Sequence, residues 1–157
     1  TADMENVFVH MASQSRLPRL HKMLLAPFQL HRTMIEKIDA IGDAAAQGRA
    51  ARIVAKMNAL TDEALMQALV RAGRQGAKID LIVRGACMLP AQVPGATANI
   101  RVRSIIGRFL EHSRIMCFGN GHSLPSRHAK VFISSADWMP RNMDRRLEIM
   151  VPIENPT

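Results

Sequence analysis

The stretch FLEHSRIMCFGN, residues 109 to 120, sets an imidazole and a guanidinium two residues apart at the mouth of an apolar run. If the run is a strand, its period of two puts His112 and Arg114 on one face, with Glu111 opposite. A histidine that titrates near neutral pH beside a permanent cation suits chemistry on an anion. The imidazole can act as acid, base or nucleophile while the guanidinium holds negative charge. A hydrogen-bonded histidine at a strand start fits the same spacing, and spacing alone does not separate the two. Further polar groups fall at the ends of predicted strands or in the loops after them: Lys56, Asn58, Arg84, Ser134, Ser135, Asp137, Arg141, Asn142 and Arg146. Phosphoryl transfer needs a set of this kind, in which cations neutralise and orient the phosphate oxygens.

Other motifs are weaker. No G-x-x-x-x-G-K-[ST] loop occurs, and GNG at 119–121 is too short to cradle a phosphate. HAK at 128–130 matches the H-x-K start of the phospholipase D signature. The acid due five positions after the lysine is Ser135, however, and Asp137 comes two later. His128 also lies in a polar, proline-containing loop. His10, His21, His31 and His122 have no partner at suggestive spacing and are expected at the surface, and no metal-ligand set is indicated.

The elements that must position these groups follow from periodicity. A short helix is predicted over 3–14, a loop over 13–19 and a strand-like segment over 21–27. Leu30, Met34, Ile35, Ile38 and Ile41 keep helical spacing up to Gly48. RIVAKMN (52–58) alternates, with Ile53, Ala55 and Met57 on one face. The next helix has Thr61 as its N-cap, Leu60 stapled onto Leu65, and Gly73 and Gly76 at its end. KIDLIVRG (78–85) alternates again, so 52–85 reads as strand, helix, strand with a right-handed parallel crossover. Ligands of open α/β sheets sit beyond the carboxyl ends of the strands, where Lys56, Asn58 and Arg84 should converge. NIRVRS (99–104), HSRIMCF (112–118) and KVFISSADW (130–138) read as strands. MPRNMDRR (139–146) reads as irregular, and LEIMVPI (147–153) as a closing strand with Leu147, Ile149 and Val151 on one side. The fold class is α/β, a mixed β-sheet flanked by helices.

The 157 residues are long enough for one domain with a core, and 48% are apolar. The formal charge of +8 points to an anionic partner, and 16 of the 21 basic side chains are arginines, whose planar fork suits phosphate. Five Phe, one Trp and no Tyr supply few stacking platforms, which weighs against a nucleic-acid module. Cys87 and Cys117, thirty positions apart, suggest no disulfide framework, and a reducing cytoplasmic setting fits best. Neither a membrane span nor a signal peptide is indicated.

AKMNAL, IDLIVRGACML, NIRVRSIIGRFLEHSRIMCFGNG and ISSADWMPRNMDRRLEI, in this order, resemble the C-terminal half of bacterial polyphosphate kinases. The resemblance covers almost the whole chain. It implies a phospholipase D-like fold, and that residues 1–157 are one domain, the second of two related catalytic domains, excised at both ends. It further implies reversible transfer of the ATP γ-phosphate, through a phosphohistidine in the sister domain, to a growing inorganic polyphosphate chain. Residue by residue, it assigns Arg84 to ATP contact and His112 to the second essential histidine, the one catalytic residue expected here. Arg146 falls near the phosphates, with Arg114 on the face of His112, while Asp137 and Asn142 occupy the stretch that replaces the superfamily's second active-site motif. The substrates implied are ATP or ADP and polyphosphate. Mg2+ ligands are expected in the upstream domain, as is a nucleotide-contacting tyrosine. Homo-oligomerisation is expected of the full-length enzyme and no DNA partner; its membrane association is left open. One departure stands out: HSLPSRHAK at 122–130 fills a hairpin that is shorter in the family. The isolated chain is expected to be inactive. A phospholipase D-type phosphodiesterase and a non-catalytic RNA or polyanion module are the alternatives.

Overall fold

The computed structural model describes residues 2–154. Helix α1 (Ala2–Ser13) precedes β1 (Leu24–Ala26), α2 (Leu30–Ala46), β2 (Arg52–Met57), α3 (Glu63–Arg74) and β3 (Lys78–Val83). Then follow β4 (Ile100–Arg103), β5 (Ile115–Phe118), β6 (Lys130–Ser134), α4 (Pro140–Asp144) and β7 (Glu148–Ile153). The seven strands form one sheet in the order β1-β7-β6-β5-β2-β3-β4. The strands β2, β3 and β4 are parallel, and every other neighbouring pair is antiparallel.

The parallel crossover expected over 52–85 is present. Ile53, Ala55 and Met57 of β2 and Ile79, Leu81 and Val83 of β3 are buried, as are Leu65, Ala68, Leu69 and Ala72 along one stripe of α3. Each fully buried Leu or Ile stabilises by roughly 1.5–3 kcal/mol, so this unit anchors the domain. Helices α2 and α3 touch backbone to backbone: a Cβ on Gly42 would stand 2.9 Å from the Ala72 Cα.

Several expected boundaries shift. The N-cap of α3 is Asp62, whose carboxylate accepts the Leu65 N–H at 2.9 Å, while Thr61 gives its own N–H to the Trp138 carbonyl. Aspartate is the better cap here because it also takes His31 Nε2 at 3.0 Å. Gly73 is buried within α3 rather than ending it. MPRNMDRR contains α4, with Pro140 pre-setting its first turn. In β7 the inner positions are Glu148 and Met150, and Leu147, Ile149 and Val151 are the more exposed set.

The segment 112–118 becomes a strand only at Ile115. Beyond Met57 the chain pairs with the continuation of β6: the Trp138 N–H reaches the Ala59 carbonyl at 3.1 Å. On the other side, Gly85 N–H reaches the Asn58 carbonyl at 2.8 Å, an approach that a Cβ at Gly85 would obstruct at 2.9 Å. β5 lies between β2 and β6; where their continuations join, no lane remains for it. Residues 111–113 are therefore turned out over the rim, while the Arg114 carbonyl still accepts the Ser134 N–H at 3.1 Å. That rim gathers the carboxyl ends of β2, β3, β4 and β6 and the amino ends of β5 and β7.

Candidate phosphate site

Arg114 is the hinge of the rim. Its Nε and Nη2 donate to the two oxygens of Asp137 at 3.2 and 3.0 Å, a bidentate pair with both side chains mostly enclosed. The same guanidinium lies against His112, with Nη1 3.3 Å from Nδ1 and Nη2 3.2 Å from Nε2. The in-plane lone-pair directions of two imidazole nitrogens diverge, so one fork cannot occupy both. The guanidinium therefore lies close against the ring of the exposed His112.

Asp137 also accepts the backbone N–H groups of Asn58 at 2.7 Å and Ala59 at 3.3 Å. Burial alone would raise its pKa, but the hydrogen bonds and charge of Arg114 and the Asn58 donors outweigh it, and the net shift is downward. Glu111 fastens the other side of the His112 loop. It accepts from the Ser113 hydroxyl and backbone N–H and lies 3.2 Å from Lys56 Nζ, which also donates to the Ser113 carbonyl at 2.9 Å. These donors hold the Glu111 carboxyl down to about 2.

Arg84 follows β3 and borders a hollow of about 330 Å3 with residues 105–111, so it faces the loop that carries His112. Its Nη1 is buried without a partner among the described residues. Asn142 donates to Glu148 Oε1 at 2.9 Å, and the Ser135 hydroxyl donates to the other oxygen of Glu148. Asn58 Oδ1, Asn142 Oδ1 and Trp138 Nε1 are likewise buried and unpartnered among the described residues. Orphaned buried polar atoms are costly.

The structure thus joins His112, Arg114, Asp137, Asn58 and Lys56 in one network and brings Arg84 beside its loop. Arg146 is exposed between α4 and β7, with no hydrogen bond or ion pair among the described residues, and does not join it. Ser134 caps the local turn, donating to the Ile149 carbonyl and accepting the Ala136 N–H. His31 is half-buried and paired with Asp62, against the expectation of a lone surface ring. His128 and His122 stack at 4.2 Å in the loop at the opposite pole, far along the strands from His112. Glu148 escaped the sequence reading; the only signal was an acid on the inward register of β7, and that needed the inward face to be known. Among the described residues no three His, Cys, Asp or Glu side chains come together as a set that could hold a metal ion.

A mixed sheet with this rim defines a phospholipase D-like domain. A phospholipase D family member from Salmonella typhimurium superimposes with a TM-score of 0.55 at 17% identity, over 85% of this chain and 82% of its own, which is a likeness of fold. The chain belongs to the family described as polyphosphate kinase C-terminal domain 2, which matches residues 23–157. A polyphosphate kinase from Neisseria meningitidis serogroup C is 46% identical over 156 residues, 99% of this chain and 22% of its own length. The crystal structure of polyphosphate kinase from Porphyromonas gingivalis superimposes with a TM-score of 0.89 at 36% identity, covering 98% of this chain and 23% of that one. The chain therefore spans about a fifth of the length of the curated relatives it matches.

Proposed function

We propose that the rim is the phosphate-handling half of a polyphosphate kinase active site, and that residues 1–157 are the second of two catalytic domains. The observation that carries this reading is the His112–Arg114–Asp137 relay. A buried carboxylate fixes a guanidinium, and the guanidinium lies within 3.3 Å of both ring nitrogens of an exposed imidazole. Such an imidazole is pre-oriented to donate or accept a proton at its edge, while Arg114 and Arg84 offset charge on phosphate oxygens. The reaction is reversible transfer of the ATP γ-phosphoryl group. The bond from the γ-phosphorus to its bridging oxygen breaks as a bond to a histidine nitrogen of the sister domain forms. The phosphoryl group then passes to the terminal oxygen of the polyphosphate chain. His112 serves the transferring group as proton donor or electrostatic partner, and Asp137 and Asn142 keep the pocket wall in place. The full-length assembly as a homo-oligomer in the cytoplasm belongs to the same reading.

The match to the H-x-K signature falls on His128, which stands at the other pole, and Ser135 holds the position of the required acid. In the intact protein that contains this chain, His112→Ala should lower ATP-dependent polyphosphate synthesis by about 100-fold or more, the range for loss of a proton-transfer group. Synthesis within a few-fold of normal, with the fold intact by circular dichroism, would remove His112 from the chemistry.

A further inference from the structure

The hairpin loop 119–129 closes the pole of the sheet away from His112. Beneath it, between the start of β6 and the later turns of α2, lies a hollow of about 350 Å3 bordered by Lys37, Arg49, Asn120, Gly121 and Lys130. Lys37 Nζ sits 5.0 Å from the centroid of the Phe132 ring. Neither Lys37 nor Lys130 makes an ion pair or a side-chain hydrogen bond among the described residues. Burial pushes the Lys37 ammonium down from its ordinary value, and the Lys130 charge pushes it further. Glu36, also on the border, pulls it back up, but its carboxylate already lies 3.5 Å from Arg32 Nε. Arg49 gives one nitrogen to Gln47 at 3.0 Å and brings the other under the turn at Gly121.

Three cations thus converge on one concavity that holds a single, already engaged carboxylate. Like charges gathered without a counter-charge repel, and a guest with several closely spaced negative charges removes that repulsion. The lysines offer compact point charges and Arg49 a fork, the donor types that suit phosphate oxygens. Phe118 and Phe132, the nearest aromatics, are buried and offer no face to a base.

We propose that this hollow is a second phosphate-chain site, gripping a linear oligophosphate between Lys37, Lys130 and Arg49 at the pole opposite His112. That the site takes anions stands on its geometry; the choice of phosphate among anions rests on the function proposed above. The six residues of β2 separate the poles by roughly 20 Å, a distance one long phosphate polymer can cover.

The test is lysine acetylation of the intact protein, read peptide by peptide by mass spectrometry, with tripolyphosphate, ATP or sulfate added at matched ionic strength. At tripolyphosphate about ten times its dissociation constant, labelling of Lys37 and Lys130 should slow roughly tenfold, while the exposed Lys22 and Lys78 keep their rates. Protection by tripolyphosphate alone assigns the site to a free phosphate chain, and equal protection by ATP assigns it to a nucleotide's phosphate tail. Either result supports the site. No protection, equal protection by sulfate, or parallel slowing at Lys22 and Lys78 overturns it. The readout is separate from synthesis by the His112→Ala variant, so failure of one proposal is not failure of the other.

Discussion

Asp137 decides more of the rim than its place in the chain suggests. It neutralises Arg114, holds that guanidinium against the His112 ring, and ties down the backbone where β2 ends. Asp137→Ala should cost about 3–5 kcal/mol, because it strands an enclosed guanidinium without its counter-charge. Asp137→Asn, which keeps an acceptor for the Asn58 N–H, should cost less. Urea unfolding of both variants measures the difference; small and equal losses would mean that solvent serves Arg114 as well. The folded pKa of Asp137 lies below its ordinary value of 3.8. Its contribution to stability is therefore complete above that value and drains away as pH falls through the lower folded one. The residue types of this network were legible in the sequence; the pairing of Arg114 with Asp137 was not, since 23 positions separate them.

The segments that hold the sheet together are tied by equally local chemistry. The start of α1 is pinned where Asp3 accepts the N–H groups of His21, Lys22 and Met23, the last two at 2.7 and 3.0 Å. Those donors hold the Asp3 carboxyl down to about 2 from 3.8. Asp3→Ala should cost about 1–3 kcal/mol, the range for leaving buried donors unsatisfied, and should speed amide exchange at 21–23. In the native protein the same protection should be whole above pH 3.8 and fade between there and about 2. Unchanged exchange in the variant would show that α1 docks through Val7 instead. The β2–α3–β3 unit could be read directly, because its period-2 and period-3.6 patterns are uninterrupted. The start of β5 could not: HSRIMCF alternates well enough for a strand, yet regular pairing begins only at Ile115, where the chain beyond Met57 has joined Trp138 instead.

Taken whole, and on the function proposed above, the chain carries one wall of a phosphate site and lacks the histidine that would carry the phosphoryl group. Supplied with ATP and Mg2+, the 157-residue chain alone should therefore form no polyphosphate detectable by gel. Synthesis by the purified chain would show that it holds a complete active site. The apolar side chains of Ile106, Phe109 and Leu110 stand exposed beside Arg84, at the mouth of the same rim.

By itself the sequence determined the family, the parallel crossover and the basic character. These are properties of local pattern and of residue order, and they survive without coordinates. Only the tertiary structure decided that Arg146 makes no hydrogen bond or ion pair among the described residues, that His31 pairs with Asp62, that the inward acid of β7 is Glu148, and that Lys37 and Lys130 meet under the hairpin loop. Each of those depends on the order β1-β7-β6-β5-β2-β3-β4, in which strands distant in sequence become neighbours. Antiparallel partners are chosen by burial summed over the whole sheet, a quantity no short window of residues contains.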